Sequence, residues 1–260
     1  MRIINLASGS EGNITYIENQ DKKILLDIGL SCSEATKRLE LIHIAPSEID
    51  AIIVSHEHSD HIKGIDLFSS KYNIPVYAHE KVWLDLGDKL KKVDNSNRKL
   101  FEDCFSIGSL IVNPIEIPHD VACFGFSFQE GQNKISVLTD LGHTNDKILA
   151  SIKGSQIVYL EANYDRQMLM NGTKYPLSLK RRIDGPNGHL SNVASAQAIE
   201  FLAHSGTKQI VLSHLSKENN SPIIAYNCVC KELEKCGIVE GQHIRIDVAT
   251  QTPGAFFRLK

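Results

Sequence analysis

The chain lacks the features of a membrane-spanning, secreted or disulfide-stabilised protein. No apolar run reaches the roughly 18 residues that mark a bilayer span, and the first residues contain neither the basic nor the long apolar region of a secretory signal. The six cysteines include no C-x-x-C pair, and a chain of 260 residues needs no disulfide to fold. We therefore expect a cytoplasmic protein with reduced thiols and no membrane partner.

The chain also lacks a large charge excess and a recognisable linker. Its formal net charge is −3, which argues against a protein that coats DNA nonspecifically through its overall charge. No segment shifts in composition enough to mark a boundary, and 42% of the residues are hydrophobic, which is enough for one substantial core. The sequence therefore predicts a single domain over residues 1–260.

The most informative segment is H-E-H-S-D-H, residues 56–61, which directly follows an apolar, β-branched run. Side chains along an extended strand repeat with a period of two, so His56 and His58 point the same way and can share one ion. The turn displaces Asp60 and His61, which can serve a second ion. Three histidines and an aspartate at one strand end would be a poor choice if their only role were packing, so we interpret them as metal ligands. The spacing therefore predicts a binuclear metal site.

Three further ligand-type side chains occur where predicted strands end: His119, Asp140 and His214. Each follows an apolar segment of the strand type. The other histidines outside the hexapeptide have no comparable context, apart from His189, which is discussed below. We therefore expect the ligand-bearing strand ends to lie at one edge of the fold.

Apolar runs of strand length alternate with helical patterns along the chain. Sheets inside with helices outside indicate an α/β (α+β) fold with four layers, αββα. The predicted strands are residues 3–6, 14–18, 23–27, 51–54, 76–78, 110–117, 124–129, 134–138, 157–160 and 209–212. The predicted helices are residues 33–41, 82–90, 192–203 and 222–235, with another directly after the hexapeptide.

The hexapeptide resembles the signature of the metallo-β-lactamase fold hydrolases. Further segments, spread over nearly the whole chain, resemble the YycJ/VicX (WalJ) branch of that superfamily. These segments are L-A-S-G-S-E-G-N (6–13), D-I-G (27–29), T-D-L-G (139–142), E-A-N-Y-D (161–165) and G-H-L-S-N (188–192). The resemblance implies a four-layer metallo-β-lactamase sandwich of two mixed β-sheets with helices outside.

The same resemblance implies two divalent ions, which we expect to be Mn²⁺ or Zn²⁺, with iron as a further option. Asp140 would bridge the ions, and a hydroxide between them would attack phosphorus in line. Asp60 could also steer that hydroxide. One ion would be bound by His56, His58 and His119, and the other by Asp60, His61 and His214.

The G-H-L-S-N segment places His189 at the start of a predicted helix, with Ser191 or Asn192 as its N-cap. In phosphodiesterases of the resembling fold, a histidine at this point does not bind metal but protonates the leaving oxygen or contacts a substrate phosphate. An imidazole suits acid catalysis because its pKa lies near the working pH. We therefore predict that His189 and Asp60 are catalytic, and that the helix N-terminus favours an anionic substrate.

Several polar residues are candidates for substrate contact or for support of the ligands. Asp27 closes a predicted strand, and by resemblance it orients the histidine loop through hydrogen bonds, although a turn or cap would also explain it. The basic triplet Lys180, Arg181 and Arg182 could meet a phosphate or could be a solvated face. Ser8, Ser10 and Asn13 lie in a glycine-containing loop that could contact phosphate or form a tight hairpin turn.

The segment after the strand at residues 157–160 contains three more polar candidates, Glu161, Asn163 and Asp165. Any of them could orient His189 or bind substrate. The sequence does not choose among them.

The resemblance implies a cytoplasmic phosphodiesterase that acts on DNA, as a 5′ to 3′ exonuclease with a role in DNA repair. The chain has no inserted β-CASP-type domain, so polymer specificity must come from loops. One alternative is a glyoxalase II-like thioester hydrolase, which shares the hexapeptide but needs no His189. Another is a noncatalytic metal-binding accessory of a two-component signalling system. The sequence leaves open whether the protein forms a homo-oligomer and whether it binds repair or signalling proteins.

Overall fold

The computed structural model describes residues 1–252 and 256–259, with the backbone alone for residues 256–258. The chain divides into two compact units. Of the described residues, the first unit comprises 1–114, 121–123, 250–252 and 256–259, and the second comprises 115–120 and 124–249. A single domain over residues 1–260 stays a prediction.

The first unit contains a mixed sheet with the strand order β14-β1-β2-β3-β4-β5-β6. Strands β14, β1, β2 and β3 pair antiparallel, and β3 to β6 pair parallel. Residues of β4 are fully buried, as expected for a central parallel strand covered on both faces. The strands are β1 (Arg2–Ala7), β2 (Ile14–Glu18), β3 (Lys23–Leu26), β4 (Ala51–Ile53), β5 (Val76–His79), β6 (Arg98–Phe101) and β14 (Phe256–Arg258).

Helices α1 (Cys32–Leu41), α2 (Ser59–Ile62), α3 (Ile65–Tyr72) and α4 (Glu80–Leu86) also belong to the first unit. The Ser31 side chain caps α1 by accepting a hydrogen bond from the Glu34 amide, at 3.3 Å. Strands β7 (Phe105–Ile107) and β8 (Leu110–Glu116) pair antiparallel, and the last two residues of β8 belong to the second unit.

The strands of the second unit follow the order β13-β12-β11-β10-β9. Strands β9 and β10 form an antiparallel hairpin, and β10 to β13 are parallel. The strands are β9 (Phe124–Glu130), β10 (Asn133–Leu138), β11 (Ile157–Glu161), β12 (Gln209–Ser213) and β13 (Arg245–Val248). The helices are α5 (Asp146–Ile152), α6 (Arg166–Asn171), α7 (Leu177–Ile183), α8 (Asn192–His204) and α9 (Pro222–Lys235).

The prediction of two mixed sheets with helices is confirmed, and several predicted boundaries are corrected. The strand predicted at residues 51–54 ends at Ile53, and the one predicted at residues 110–117 ends at Glu116. The predicted helix at residues 82–90 instead spans Glu80–Leu86, and Gly87 beyond it has a positive φ of 48°. Strand β3 ends at Leu26 rather than at Asp27, because Asp27 adopts the left-handed conformation with φ 60°. Within the described residues, no helix is sufficiently long and apolar for a membrane span.

Candidate metal-binding site

The hexapeptide forms a compact histidine cluster at the end of β4 in the first unit. His56 and His61 are fully buried, and their ring centroids lie 4.2 Å apart. The His58 ring lies 4.7 Å from that of His56. Helix α2 begins after His58, so Asp60 lies in its first turn, with Oδ2 at 3.6 Å from Nε2 of His61. The fold therefore brings together all four predicted ligands of this segment.

Asp27 supports this cluster from the end of β3. Its Oδ2 atom accepts hydrogen bonds from Nδ1 of His61 and from Oγ of Ser55, each at 2.7 Å. Its Oδ1 atom accepts from the Ser55 amide at 2.8 Å. Because an ionised carboxylate can only accept, His61 donates through Nδ1, which leaves the lone pair on Nε2. Asp27 therefore selects the His61 tautomer that a metal ligand needs.

Ser55 orients His56 in a similar way. Its hydroxyl donates to Asp27, and the same oxygen lies 3.0 Å from Nδ1 of His56. Since the hydroxyl proton points to Asp27, the oxygen accepts from His56, which again leaves the lone pair on Nε2 of His56. Ser55 was not predicted as a site residue; its position directly before the hexapeptide was the available signal.

The glycine-containing loop before β2 lies against the histidine cluster. Nδ2 of Asn13 lies 3.0 Å from Nε2 of His61, and the Asn13 backbone amide donates to the Asp60 carbonyl at 2.8 Å. A Cβ atom on Gly29 would lie only 1.6 Å from the same Asp60 carbonyl oxygen. Ser8 is buried, with its amide donating to the Thr250 carbonyl, and Ser10 is exposed. Of this loop, Asn13 therefore contacts a predicted ligand directly.

In the second unit, Glu161 connects three of the predicted site residues, Asp140, His189 and His214. It ends β11 and is fully buried. Its Oε1 atom accepts from Nδ1 of His214 at 2.8 Å and from Nδ1 of His189 at 2.9 Å. Its oxygens also accept from the Asp140 amide at 3.2 Å and from the Leu190 amide at 2.9 Å. One buried carboxylate thus holds in place the segments that contain Asp140, His189 and His214.

Two residues of this group occupy an unusual backbone conformation. Asp140 has a φ of 63° and His214 has a φ of 56°. Left-handed backbone is costly for residues with a Cβ atom and clusters at functional sites. The donor atoms of Asp140, Glu161, His189 and His214 lie within 4.8 Å of one another. This group is therefore compatible with metal binding, and His189 is near enough to ligate as well as to act as an acid.

His119 follows β8 and occupies the same unit. Its Nδ1 atom lies 3.3 Å from the Gly188 carbonyl, and its ring centroid lies 5.5 Å from that of His189. A Cβ atom on Gly188 would lie 2.2 Å from the Arg182 and Ile183 carbonyl oxygens, so glycine is needed for this close approach. The G-H-L-S-N segment thus orients His119 as well as presenting His189.

Burial and charge act in opposite directions on these groups. Burial alone would lower the pKa of His189, but the Glu161 carboxylate and then Asp140 outweigh it, so the pKa is raised. Burial would raise the pKa of Glu161, but His189 and His214 lower it overall. Burial dominates at His119 and lowers its pKa. A protonated His189 beside an ionised Glu161 is the arrangement that these directions favour.

The remaining polar candidates mainly shape the loops around His189. Asn163 donates from Nδ2 to the His214 carbonyl at 2.7 Å. Ser191 caps α8, and Asp165 caps α6. Asn192 is buried and exchanges side-chain hydrogen bonds with Asn220. Asp165, Ser191 and Asn192 also line one open cavity of ≈ 470 Å³.

The basic triplet lies in the last turn of α7, where cations complement the helix dipole. Lys180 donates to the Met170 carbonyl at 2.8 Å, and Arg181 is exposed. Arg182 forms an ion pair with Asp120, whose other oxygen lies 3.2 Å from Nε2 of His119. Arg182 is thus the member of the triplet connected to a predicted ligand.

Comparisons with known proteins identify the family of the chain. Residues 22–215 match the family described as "Beta-lactamase superfamily domain". The exodeoxyribonuclease YycJ of Bacillus anthracis is 35% identical over 93% of this chain and 92% of its own. The exodeoxyribonuclease WalJ of Streptococcus pneumoniae is 36% identical over 93% of this chain and 91% of its own.

Solved structures extend the likeness to the fold of the whole chain. The metallo-β-lactamase fold protein YhfI of Bacillus subtilis superposes with a TM-score of 0.71 at 15% identity, covering 99% of this chain and 100% of that one. This confirms the expected metallo-β-lactamase fold class. The chain belongs to the β-lactamase superfamily, in the same family as the exodeoxyribonucleases YycJ and WalJ.

Proposed function

We propose that this protein is a metal-dependent phosphodiesterase that removes nucleotides from DNA in the 5′ to 3′ direction. The kinship with YycJ and WalJ, both named exodeoxyribonucleases, supports a nucleic-acid substrate. Cleavage of a phosphodiester is supported by the predicted metal ligands at the strand ends and by His189, which is paired to the Glu161 carboxylate. A cytoplasmic role in DNA repair is part of the same proposal.

The donor set fits divalent metal ions in both chemistry and orientation. Imidazole and carboxylate are ligands that suit zinc, manganese and iron. Buried oxygens engage Nδ1 of His56, His61 and His214, an arrangement typical of metal-binding histidines. We propose two ions bound by the seven predicted ligands. Once bound, such ions would supply an activated water and neutralise charge on the phosphoryl oxygens.

His189 is the proposed proton donor to the leaving oxygen. Its side chain is 22% exposed, which leaves it accessible to substrate, while Nδ1 is engaged by Glu161 at 2.9 Å. The proton would therefore leave from Nε2. A raised pKa increases the fraction of His189 that carries this proton near neutral pH. Asp60 would orient the attacking water from its place in α2.

Arg182 is proposed to contribute the positive charge that an anionic substrate needs. Its side chain is 60% exposed, and Asp120 directs it toward the segment that contains His119. A guanidinium suits phosphate because its donors match two oxygens at once. Of the basic triplet, Arg182 is therefore the residue that we assign to substrate binding.

The experiment that tests this function compares two ester classes on the metal-loaded protein. Bis-p-nitrophenyl phosphate represents a phosphodiester, and a glutathione thioester represents the glyoxalase II-like alternative. Turnover of the phosphodiester, lost in Asp140→Ala, would support the proposal. Turnover of the thioester alone would favour the alternative, and the absence of both with metal bound would favour a noncatalytic accessory.

A further inference from the structure

A locally basic segment occurs in the first unit, from the first turn of α4 to the first residues of β6. Residues 81–99 contain six basic side chains against three acidic ones, although the whole chain has a net charge of −3. The exposed members include Lys91 and Lys92, which follow α4. We define the basic tract by its six basic residues: Lys81, Lys89, Lys91, Lys92, Arg98 and Lys99.

The basic tract contacts the histidine loop, residues 56–61, directly. Lys89 forms an ion pair with the carboxylate of Glu57, and its Nζ atom donates to the Glu57 carbonyl at 3.4 Å. Glu57 is the residue between the predicted ligands His56 and His58. The tract therefore begins at the predicted metal-binding segment.

A partly exposed tryptophan lies within the same tract. Trp83 is the one tryptophan in the sequence. The guanidinium carbon of Arg98 lies 5.3 Å from the centre of its ring, and its indole N–H donates to the Lys99 carbonyl at 3.1 Å. Arg98 also donates to the Leu90 carbonyl at 3.0 Å, which connects the ring to the turn that precedes Lys91.

Two of the three carboxylates in this segment are engaged by backbone groups. Asp94 accepts from the Ser96 amide at 2.8 Å and thereby caps the turn before β6. Asp85 accepts from the Ala122 amide at 3.3 Å. These hydrogen bonds give the two carboxylates a structural role, whereas Lys91 and Lys92 are exposed to solvent.

We propose that the basic tract binds the backbone of single-stranded DNA, with a base stacked on Trp83, and leads the strand to the histidine loop. Lysines that contact phosphates supply affinity without sequence preference. An aromatic ring beside an arginine adds stacking that every base can provide. The inference rests on the proposed function, and it explains how a chain with a net negative charge recognises a polyanion.

Trp83 provides the test, because its fluorescence reports on the tract. The full chain, loaded with metal, would be titrated with a phosphorothioate oligodeoxythymidylate at several salt concentrations. The variant is Lys91→Glu with Lys92→Glu. The control is Lys37→Glu with Lys147→Glu, which changes the net charge equally at exposed lysines outside the tract. Hydrolysis of bis-p-nitrophenyl phosphate, which is too small to need the tract, is measured in parallel.

We expect DNA to quench the Trp83 fluorescence, and the tract variant to bind at least about tenfold more weakly. Loss of two phosphate contacts should also make the plot of log binding constant against log salt concentration less steep, by about 1.4 in slope. The control should match the wild type, and hydrolysis of the small ester should be unchanged. Wild-type affinity and slope in the tract variant would overturn the inference, even if DNA is cleaved. Quenching that the variant weakens, without hydrolysis of any phosphodiester, would support the tract and overturn the proposed function.

Discussion

Oε1 of Glu161 lies 2.8 Å from Nδ1 of His214, and it lies almost as close to Nδ1 of His189. One buried oxygen thus orients a predicted metal ligand and the predicted proton donor together. Any change at Glu161 should therefore affect metal affinity and proton transfer at once.

Glu161→Gln should lower both metal affinity and turnover by about 10- to 100-fold, as is common when a carboxylate behind a metal-binding histidine is lost. The glutamine amide cannot accept from both histidines while it also accepts from the backbone amides of Asp140, Leu141 and Leu190. Metal content measured after dialysis, together with kcat, checks this prediction. Glu130→Gln, at the end of β9, is the matched control. Unchanged metal content and kcat in Glu161→Gln would contradict the role of Glu161.

His189→Ala should reduce kcat on DNA by about 10²- to 10⁴-fold, because general acid catalysis contributes that much. The loss should be small with bis-p-nitrophenyl phosphate, since p-nitrophenolate leaves without a proton. The measurement is the ratio of the two kcat losses. His143→Ala removes an exposed histidine of the same unit and should change neither. Equal losses on both substrates would contradict an acid role.

Asp27→Asn should weaken metal binding by about 10- to 100-fold. Asparagine tolerates the left-handed backbone that Asp27 adopts, so the fold should be retained. The new amide group, however, cannot accept from Ser55 and His61 as the carboxylate does. Competition with a chromogenic chelator measures the Zn²⁺ dissociation constant, and Asp21→Asn is the exposed control. Wild-type affinity would show that the tautomer of His61 does not depend on Asp27.

Gly29→Ala should lower the free energy of unfolding by about 3 kcal/mol or more, the upper end of the cost of overpacking. The new methyl group would lie 1.6 Å from the Asp60 carbonyl oxygen, so the backbone must move. Gly131→Ala has open space and should cost only about 1–2 kcal/mol for its left-handed conformation. Urea denaturation of the two variants measures the difference. Equal losses would mean that the loop accommodates the methyl group freely.

The sequence predicted those features that depend on local pattern. The hexapeptide spacing and the apolar runs before Asp140 and His214 are readable because each is contained within a few consecutive residues. Strands β6 and β13 were missed because each is an edge strand and contains charged residues, as edge strands often do. Helices α5, α6 and α7 have only six or seven residues, too few for a clear helical period.

The roles of single polar residues depended on distant contacts. Glu161 meets Asp140 across 21 positions of sequence and His214 across 53, so its sequence neighbours could not distinguish it from Asn163 or Asp165. Asp27 was predictable from resemblance, and its contact with His61 agrees with the predicted orienting role. Ser55 depends on that same contact, and its role appears only once β3 and β4 are placed side by side.

The most direct measurement is a time course of DNA cleavage by the metal-loaded chain on strands labelled at either the 5′ or the 3′ end. We expect immediate release of a labelled mononucleotide from the 5′-labelled strand and gradual shortening of the 3′-labelled strand. Asp140→Ala should abolish both signals, and His189→Ala should slow them strongly. Intact DNA, with metal bound and the thioester hydrolysed, would show that the protein is not a DNA exonuclease.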